Sequence, residues 1–398
     1  MIKHLFKLLW NRKKTNFLML TEIFVSFVVL FIVMVILIYN IGNYAKPLGF
    51  TYEDVWMLNH DWKTDTPAEV KESLIQIESA LNSYPEIVGF AYSESFLFMP
   101  LTTSFDNFEY DNRKTRCNLL KGSDNFSQVL DIEILEGRWF NESDNGSVRR
   151  PIVISKYARE EIFKDESAVG KIIMNDDKEY EVVGVIGEFR YAGEFTGSDN
   201  IVFRRLALED EMGFKLLSND PWNRILIKVK PGTDIRFEER LMNHLSSIVK
   251  NWTLRMGTME EARISANKQS LALPIVLVIV CGFLVINVAL GLLGVIWYSI
   301  NRRKGEIGLR RALGANAMKI YHQIVGETVV LTTMGIIIGS LFAIQFPLLG
   351  VFGFIGTGIY ISAFIVSVMS IYMISVSCAL YPGWLASKIH PAEALHNE

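Results

Sequence analysis

Cysteine is scarce, with three residues in 398. Cys281 and Cys378 sit inside apolar runs and Cys117 lies in the large polar region. An internal disulfide framework is therefore excluded, and Cys117 reads as a small buried side chain rather than a reactive thiol. Histidine is little more common. His4, His60, His244, His322, His390 and His396 show no H-E-x-x-H or other metal spacing, so surface and core roles rank above ligation. No G-x-x-x-x-G-K-[ST] phosphate loop occurs, since Gly170-Lys171 is followed by Ile172. There is no G-x-S-x-G elbow either, and the acidic residues show no paired-carboxylate pattern. Neither an enzymatic reaction nor a directly bound cofactor is expected of this chain. An excess of one charge is also missing, because 40 basic residues face 43 acidic ones. A nucleic-acid surface would show as a basic excess over a whole domain, so nucleic acid is excluded as the main partner.

What the chain has instead is apolar length. Half of its residues are hydrophobic. The run after the basic segment 1–16 covers residues 17–40, and its apolar part Phe17 to Tyr39 is about 34 Å long as a helix, enough to span a bilayer. No small-residue cleavage pattern follows it, which favours transmembrane helix 1 over a signal peptide. Glu22 is its one charge and reads as an interface carboxylate. Residues 271–300 carry no charge and exceed what a bilayer needs, so transmembrane helix 2 is expected to continue outward as a stalk, with Pro274 as a kink. Residues 322–349 and 359–381 supply helices 3 and 4, joined by a short outer loop at 350–358. Gly335 and Gly339 form a GxxxG spacing that lets a neighbouring helix approach closely. The serines of helix 4 read as interhelical or backbone hydrogen-bonding groups.

Residues 41–270 are polar and of mixed charge, and they form the domain outside the membrane. Asp54 to His60 reads as a strand. Thr66-Pro67-Ala68-Glu69 is a capping box with proline at the first helical position, and Val70, Leu74, Ile77 and Leu81 share one helical face. Glu86 to Met99 returns as one or two strands. A second such unit follows at Arg224 to Lys230, Asp234 onward (Phe237, Leu241, Leu245, Ile248 on one face) and Trp252 to Met256. The two units predict a split β-α-β subdomain. Residues 105–215 between them lack a helical period and are expected to form a strand-rich insertion. The tryptophans outside, Trp56, Trp62, Trp139, Trp222 and Trp252, read as core. The fold class is thus an α-helical membrane protein of four transmembrane helices with an inserted α+β domain.

Residues 301–321 lie between helices 2 and 3. Asn301 to Ala315 contains five arginines and lysines, which assigns the loop to the cytoplasm, together with both termini and the tail 382–398. Ile307, Arg310, Arg311 and Gly314 fall along one side of a short helix. From Arg303 through Ala315 the sequence resembles the R-x-x-E-I-G-x-R-R-A-L-G-A run of MacB/FtsX-type permeases, the membrane subunits of a class of ABC transporters. The tail from Tyr381-Pro382 through Pro391, Glu393, Ala394 and Leu395 is similar to that family's terminus, with Gly383 for the usual alanine. Glu136-Gly137-Arg138-Trp139-Phe140, Val169-Gly170-Lys171 and Val183-Gly184-Val185 resemble pieces of its outer domain.

The resemblance implies an ABC permease subunit in a bacterial inner membrane. A cytoplasmic ATPase would dock under the loop and consume ATP and Mg, and a second permease subunit, identical or not, would complete the assembly. Arg303, Glu306, Ile307, Arg310, Arg311, Leu313 and Gly314 form the expected docking surface. Ile307 and Leu313 would supply apolar contact, Arg310 and Arg311 charge pairing, and Gly314 a helix stop. Arg302 and Lys304 are equally suited to membrane lipid. Two other readings use the same residues: an FtsX-like regulator that activates an extracytoplasmic partner protein without transport, and a membrane-anchored sensor with no ATPase.

Overall fold

A computed structural model describes residues 13–62, 66–93, 97–99, 104–164, 166–176, 178–208, 214, 224–353 and 355–389. The basic segment 1–12, Trp222 and the tail from His390, with Pro391, Glu393 and Leu395, lie outside the described residues. The chain divides into two compact units, Met1–Gly42 with Ala272–Glu398, and Asn43–Leu271.

The first unit is helical. Its principal helices are α1 (Lys13–Tyr44), α6 (Met259–Arg302), α8 (Ala317–Ala343) and α10 (Thr357–Ser387), with short helices α7 (Lys304–Ala312) and α9 (Gln345–Leu348) between them. All four long helices are apolar and long enough to cross a membrane. The 44 residues of α6 make about 66 Å, roughly twice a hydrocarbon core. Ile23, Phe27, Leu292, Ile336, Ala363 and Ala379 belong to the core between the helices. Gly335 and Gly339 serve that core. A methyl at 335 would stand 2.6 Å from Ile23 Cγ2, and one at 339 would stand 2.5 Å from Phe27 Cδ1. The GxxxG groove therefore receives α1 of the same chain. Tyr372 and Thr333 hydroxyls meet at 2.8 Å between α10 and α8. Ser362 and Ser370 donate to carbonyls one turn back, whereas Ser367 and Ser375 are buried with no partner for Oγ among the described residues.

Among the described residues the second unit is built on eleven strands. β1 (Val55–Trp62), β10 (Arg224–Val229), β11 (Trp252–Thr258) and β2 (Ile87–Ser93) make an antiparallel sheet in the order β11-β1-β10-β2. Helices α2 (Pro67–Asn82) and α5 (Ile235–Ile248) pack on it. The β-α-β pairs thus interleave, and the return strand of each lies beside the first strand of the other. α2 begins as its sequence dictates. Thr66 Oγ1 accepts from Glu69 N at 3.4 Å and Glu69 Oε2 accepts from Thr66 N at 2.7 Å. Its Val70, Leu74, Ile77 and Leu81 are all buried, each contributing about 1.5–3 kcal/mol. β1 is apolar on both sides because it divides two cores. Trp56 and Leu58 face the helices, while Val55 and Met57 join a second cluster with Phe126, Trp139, Phe189 and Phe203.

The insertion closes on itself. β3 (Ser104–Tyr110), β4 (Arg113–Ser123), β6 (Arg150–Ser155), β7 (Ile172–Asn175), β8 (Lys178–Ile186) and β9 (Ile201–Leu206) pair in the ring β4-β3-β7-β8-β6-β9-β4, with β5 (Ile134–Gly137) beside β8. Two α-helical segments accompany these strands. After the turn-like α3 (Phe126–Val129), α4 (Lys156–Phe163) buries Ala158, Ile162 and Phe163 in the ring's core with Phe108 and Tyr180. Cys117 is fully buried in that core, and desolvation pushes its thiol up to about 12.

A buried guanidinium ties the segment after α1 to a loop of this unit. Arg190 is 1% exposed and donates to the carbonyls of Lys46 (2.8 Å), Pro47 (3.3 Å), Thr196 and Glu194. The Glu194 carboxylate turns to α6, accepting from Arg263 at 2.6 Å and Asn267 at 2.6 Å.

Candidate functional site at the basic loop

Local chemistry sets both ends of α7. Gly314 adopts φ +92°, open to glycine at little cost, and the Ala315 N–H donates to Arg310 O at 3.0 Å while the Gly314 N–H donates to Arg311 O at 3.1 Å. This is a Schellman stop, so Ala312-Leu313-Gly314-Ala315 ends the helix. Asn316 restarts the chain by capping α8 through Met318 N.

The seven residues expected to dock a partner divide by what they touch. Arg303 pairs with Glu327 of α8 at 2.8 Å, the two side chains 13% and 15% exposed. Gln323 links that pair to the loop, donating to Glu327 at 3.0 Å and accepting from Arg310 at 3.1 Å. Arg310 also holds Glu306 at 2.6 Å. Arg311 donates to the Ser387 carbonyl of α10. Ile307 is 8% exposed and packs into the helical core, so its assignment to a partner is corrected: the face of α7 that carries it lies inward. Leu313 is 81% exposed, Gly314 is exposed, and Arg310 keeps an exposed edge. Leu309 (52% exposed) and Met318 (59%) join them. Residue type did not separate Leu309 from Ile307; their two-residue spacing, about 200° around a helix, was the available signal.

The basic loop therefore has an inner face locked to α8 and α10 by charged and amide side chains, while Leu309, Leu313 and Met318 are large apolar side chains left exposed, as are Arg302, Lys304 and Arg310. No titrating acid–base pair or nucleophile is assembled there among the described residues. Nor do any three of their His, Cys, Asp or Glu side chains converge as metal ligands would.

Four apolar helices, a large α+β domain inserted after the first and a basic helix after the second are the plan of a multi-span permease. Residues 23–242 match the MacB-like periplasmic core domain and residues 274–391 the FtsX-like permease C-terminal domain. The chain belongs to the MacB/FtsX-type ABC transporter permeases. It is 24% identical over 308 residues to the macrolide export ATP-binding/permease protein MacB of Bdellovibrio bacteriovorus, covering 75% of this chain and 47% of that protein. An uncharacterized ABC transporter permease of Methanocaldococcus jannaschii is 27% identical over 278 residues, 67% of this chain and 66% of that one. The chain spans about half the length of the MacB relatives it matches. The periplasmic region of MacB from Actinobacillus actinomycetemcomitans aligns with a TM-score of 0.37 at 14% identity, over 56% of this chain and 97% of that structure.

Proposed function

We propose that this chain is the permease subunit of an inner-membrane ABC transporter, paired with a second permease subunit. ATP hydrolysis in a separate cytoplasmic ATPase would drive movement of its extracytoplasmic domain, to export or extract a substrate. Both termini and the basic loop then lie in the cytoplasm, consistent with the charge of that loop. The observation that carries the reading is the two-sided segment from α7 to the start of α8. Leu309, Leu313 and Met318 are offered to a partner, while Arg303, Gln323 and Arg311 bind the same helix to α8 and α10. A push on the outer face is thereby passed to two membrane helices instead of being absorbed by a loose loop. The relatives named as ATP-binding/permease proteins are matched over about half their length, and these 398 residues contain no phosphate loop. Both facts support nucleotide chemistry outside this sequence.

The test is purification of the full chain from its native membrane beside Leu313→Asp and Arg310→Glu variants, scoring bound ATPase and ATP hydrolysis. An ATPase that accompanies the wild type and falls at least tenfold in the variants, at unchanged permease yield, supports the reading. Equal ATPase binding by all three would overturn the docking surface, and no ATPase with any would overturn the coupling.

A further inference from the structure

Within the second unit, where the interleaved sheet meets the strand ring, lies a cavity of about 870 Å³. Sites for small organic ligands run to roughly 300–1,000 Å³. Its walls come from α2, the end of β2, the turn after β4, the segment 140–145 and the end of β9. None of these belongs to the basic loop or to the membrane helices, so the coupling proposed above gives the cavity no role.

Polar side chains of this wall are held in fixed positions. Arg205, 9% exposed, donates from Nε and Nη2 to the two carboxylate oxygens of Asp124 at 2.7 Å each, and from Nη1 to Asn145 Oδ1 at 2.7 Å. Asn141 Oδ1 accepts from Ser143 N at 3.0 Å and from Ser143 Oγ at 2.6 Å, which orients the carboxamide. Tyr92 lines the cavity and is 4% exposed, yet its hydroxyl makes no hydrogen bond among the described residues. A buried hydroxyl without a partner is unfavourable, and a ligand group in the cavity would supply one. Burial, and then the nearby Glu78 carboxylate, hold its ionisation well above the usual tyrosine range, so the group stays a neutral O–H.

The lining also selects among ligand classes. Drug-type pockets are predominantly apolar, whereas here the exposed carboxamides of Asn125 and Gln128 and the carboxylates of Glu78 and Glu142 share the wall with the rings of Phe90 and Phe140. An anion would meet only cations already engaged, because Arg205 holds Asp124 and Lys71 lies over the Phe214 ring at 5.6 Å. A metal ion would need three converging ligands, and the described residues contain no such group. Carboxylates can only accept, and carboxamides both donate and accept. The complementary ligand therefore carries several neutral hydroxyls, each able to donate and accept at one oxygen. Half-buried Phe90 adds an electron-rich ring face, which attracts the weakly positive C–H groups of a pyranose.

We propose that this cavity is a carbohydrate-binding site. It takes a short oligosaccharide, with one sugar ring against Phe90 and one hydroxyl hydrogen-bonded to Tyr92 Oη, while Asn125, Gln128 and Glu142 serve further hydroxyls at the mouth. The inference goes beyond the permease reading and needs no ATPase, so either can fail alone.

The test is isothermal titration calorimetry on the full chain, purified in a detergent without a sugar headgroup, with maltotriose, cellotriose, chitotriose and, for comparison, trialanine. Saturable binding of at least one trisaccharide, and none of trialanine, is expected. Tyr92→Phe should weaken that binding about tenfold, and Phe90→Ala at least as much. Melting temperature separates recognition from folding: Tyr92→Phe loses no internal hydrogen bond, so it should melt at or above the wild type. Failure of all three trisaccharides to bind at millimolar concentration would overturn the proposal, as would affinities unchanged in both variants. Equal binding of trialanine would make the cavity a peptide cleft instead, and a lower melting temperature for Tyr92→Phe would assign the hydroxyl to the fold; either result rejects the carbohydrate site.

Discussion

Arg303 and Glu327 meet at 2.8 Å, and both side chains are more than four-fifths buried where the basic loop joins α8. Removing one partner leaves the other charge without compensation in a poorly solvated place. Arg303→Ala and Glu327→Ala should each lower stability by about 2–4 kcal/mol, and the double variant should lose clearly less than the sum. A double-mutant cycle on thermal unfolding in detergent measures this. Simple additivity would show that the pair does not lock α7.

Gly335 and Gly339 predict the opposite kind of failure, from too much volume. Each Gly→Ala change drives a methyl into Ile23 or Phe27 of α1, at a cost of about 1–3 kcal/mol. Gly326, with no atom within 4 Å of the added methyl position, is the control, and Gly326→Ala should be neutral or slightly stabilising. Melting temperatures of the three variants in one detergent decide the matter.

His60 makes the α+β unit sensitive to acid. It lies 4.7 Å from Trp62 and 5.5 Å from Trp252 by ring centroids, neither ring nitrogen has a partner among the described residues, and burial lowers its pKa to about 4. In the unfolded chain the same imidazole takes its proton near pH 6.5. Between those values the unfolded state binds more protons, so stability is full above about pH 6.5 and falls as the pH drops toward 4. The loss is on the order of 3 kcal/mol. Thermal unfolding at pH 7.5 and 4.5 should show it, and His60→Phe should flatten the dependence. An equal acid loss in that variant would place the effect elsewhere.

Arg190 is fully enclosed and serves backbone carbonyls of Lys46, Pro47, Glu194 and Thr196. Arg190→Met fills similar space and leaves those carbonyls without a donor, which should cost about 3 kcal/mol or more. Limited proteolysis should then cut first between residues 187 and 199. Protection equal to the wild type would mean that packing alone holds the loop.

Much of this architecture could be read from residue order, and the exceptions share a cause. The four apolar runs and the Thr66-Pro67-Ala68-Glu69 helix start depend on neighbours within a few residues, so they are visible in the sequence. The helix Lys156–Phe163 was not, because eight residues bearing three buried side chains do not establish a period. Closure of the strand ring was hidden for a different reason. It rests on β4 pairing with β9, Asn118 with Ile201 and onward, a contact between distant segments with no local signature. At the basic loop the composition marks a stretch but not the orientation of its helix. Ile307 and Leu313 look alike as residues, and it is the packing against residues far along the chain that leaves one 8% and the other 81% exposed.

The interleaved sheet also imposes an order on synthesis. β1 follows the first membrane helix, yet both of its neighbours, β10 and β11, are about 170 and 200 residues further along. The ring between Ser104 and Leu206 contains all of its own strands and can close as soon as it has been made. Trp56 and Leu58 share their core with Phe237, Leu241 and Leu245 of α5, which arrive only with the last part of the domain. A chain stalled or truncated before Arg224 would therefore carry a finished ring beside an open, apolar strand, the form of this protein most exposed to chaperones, proteases and aggregation.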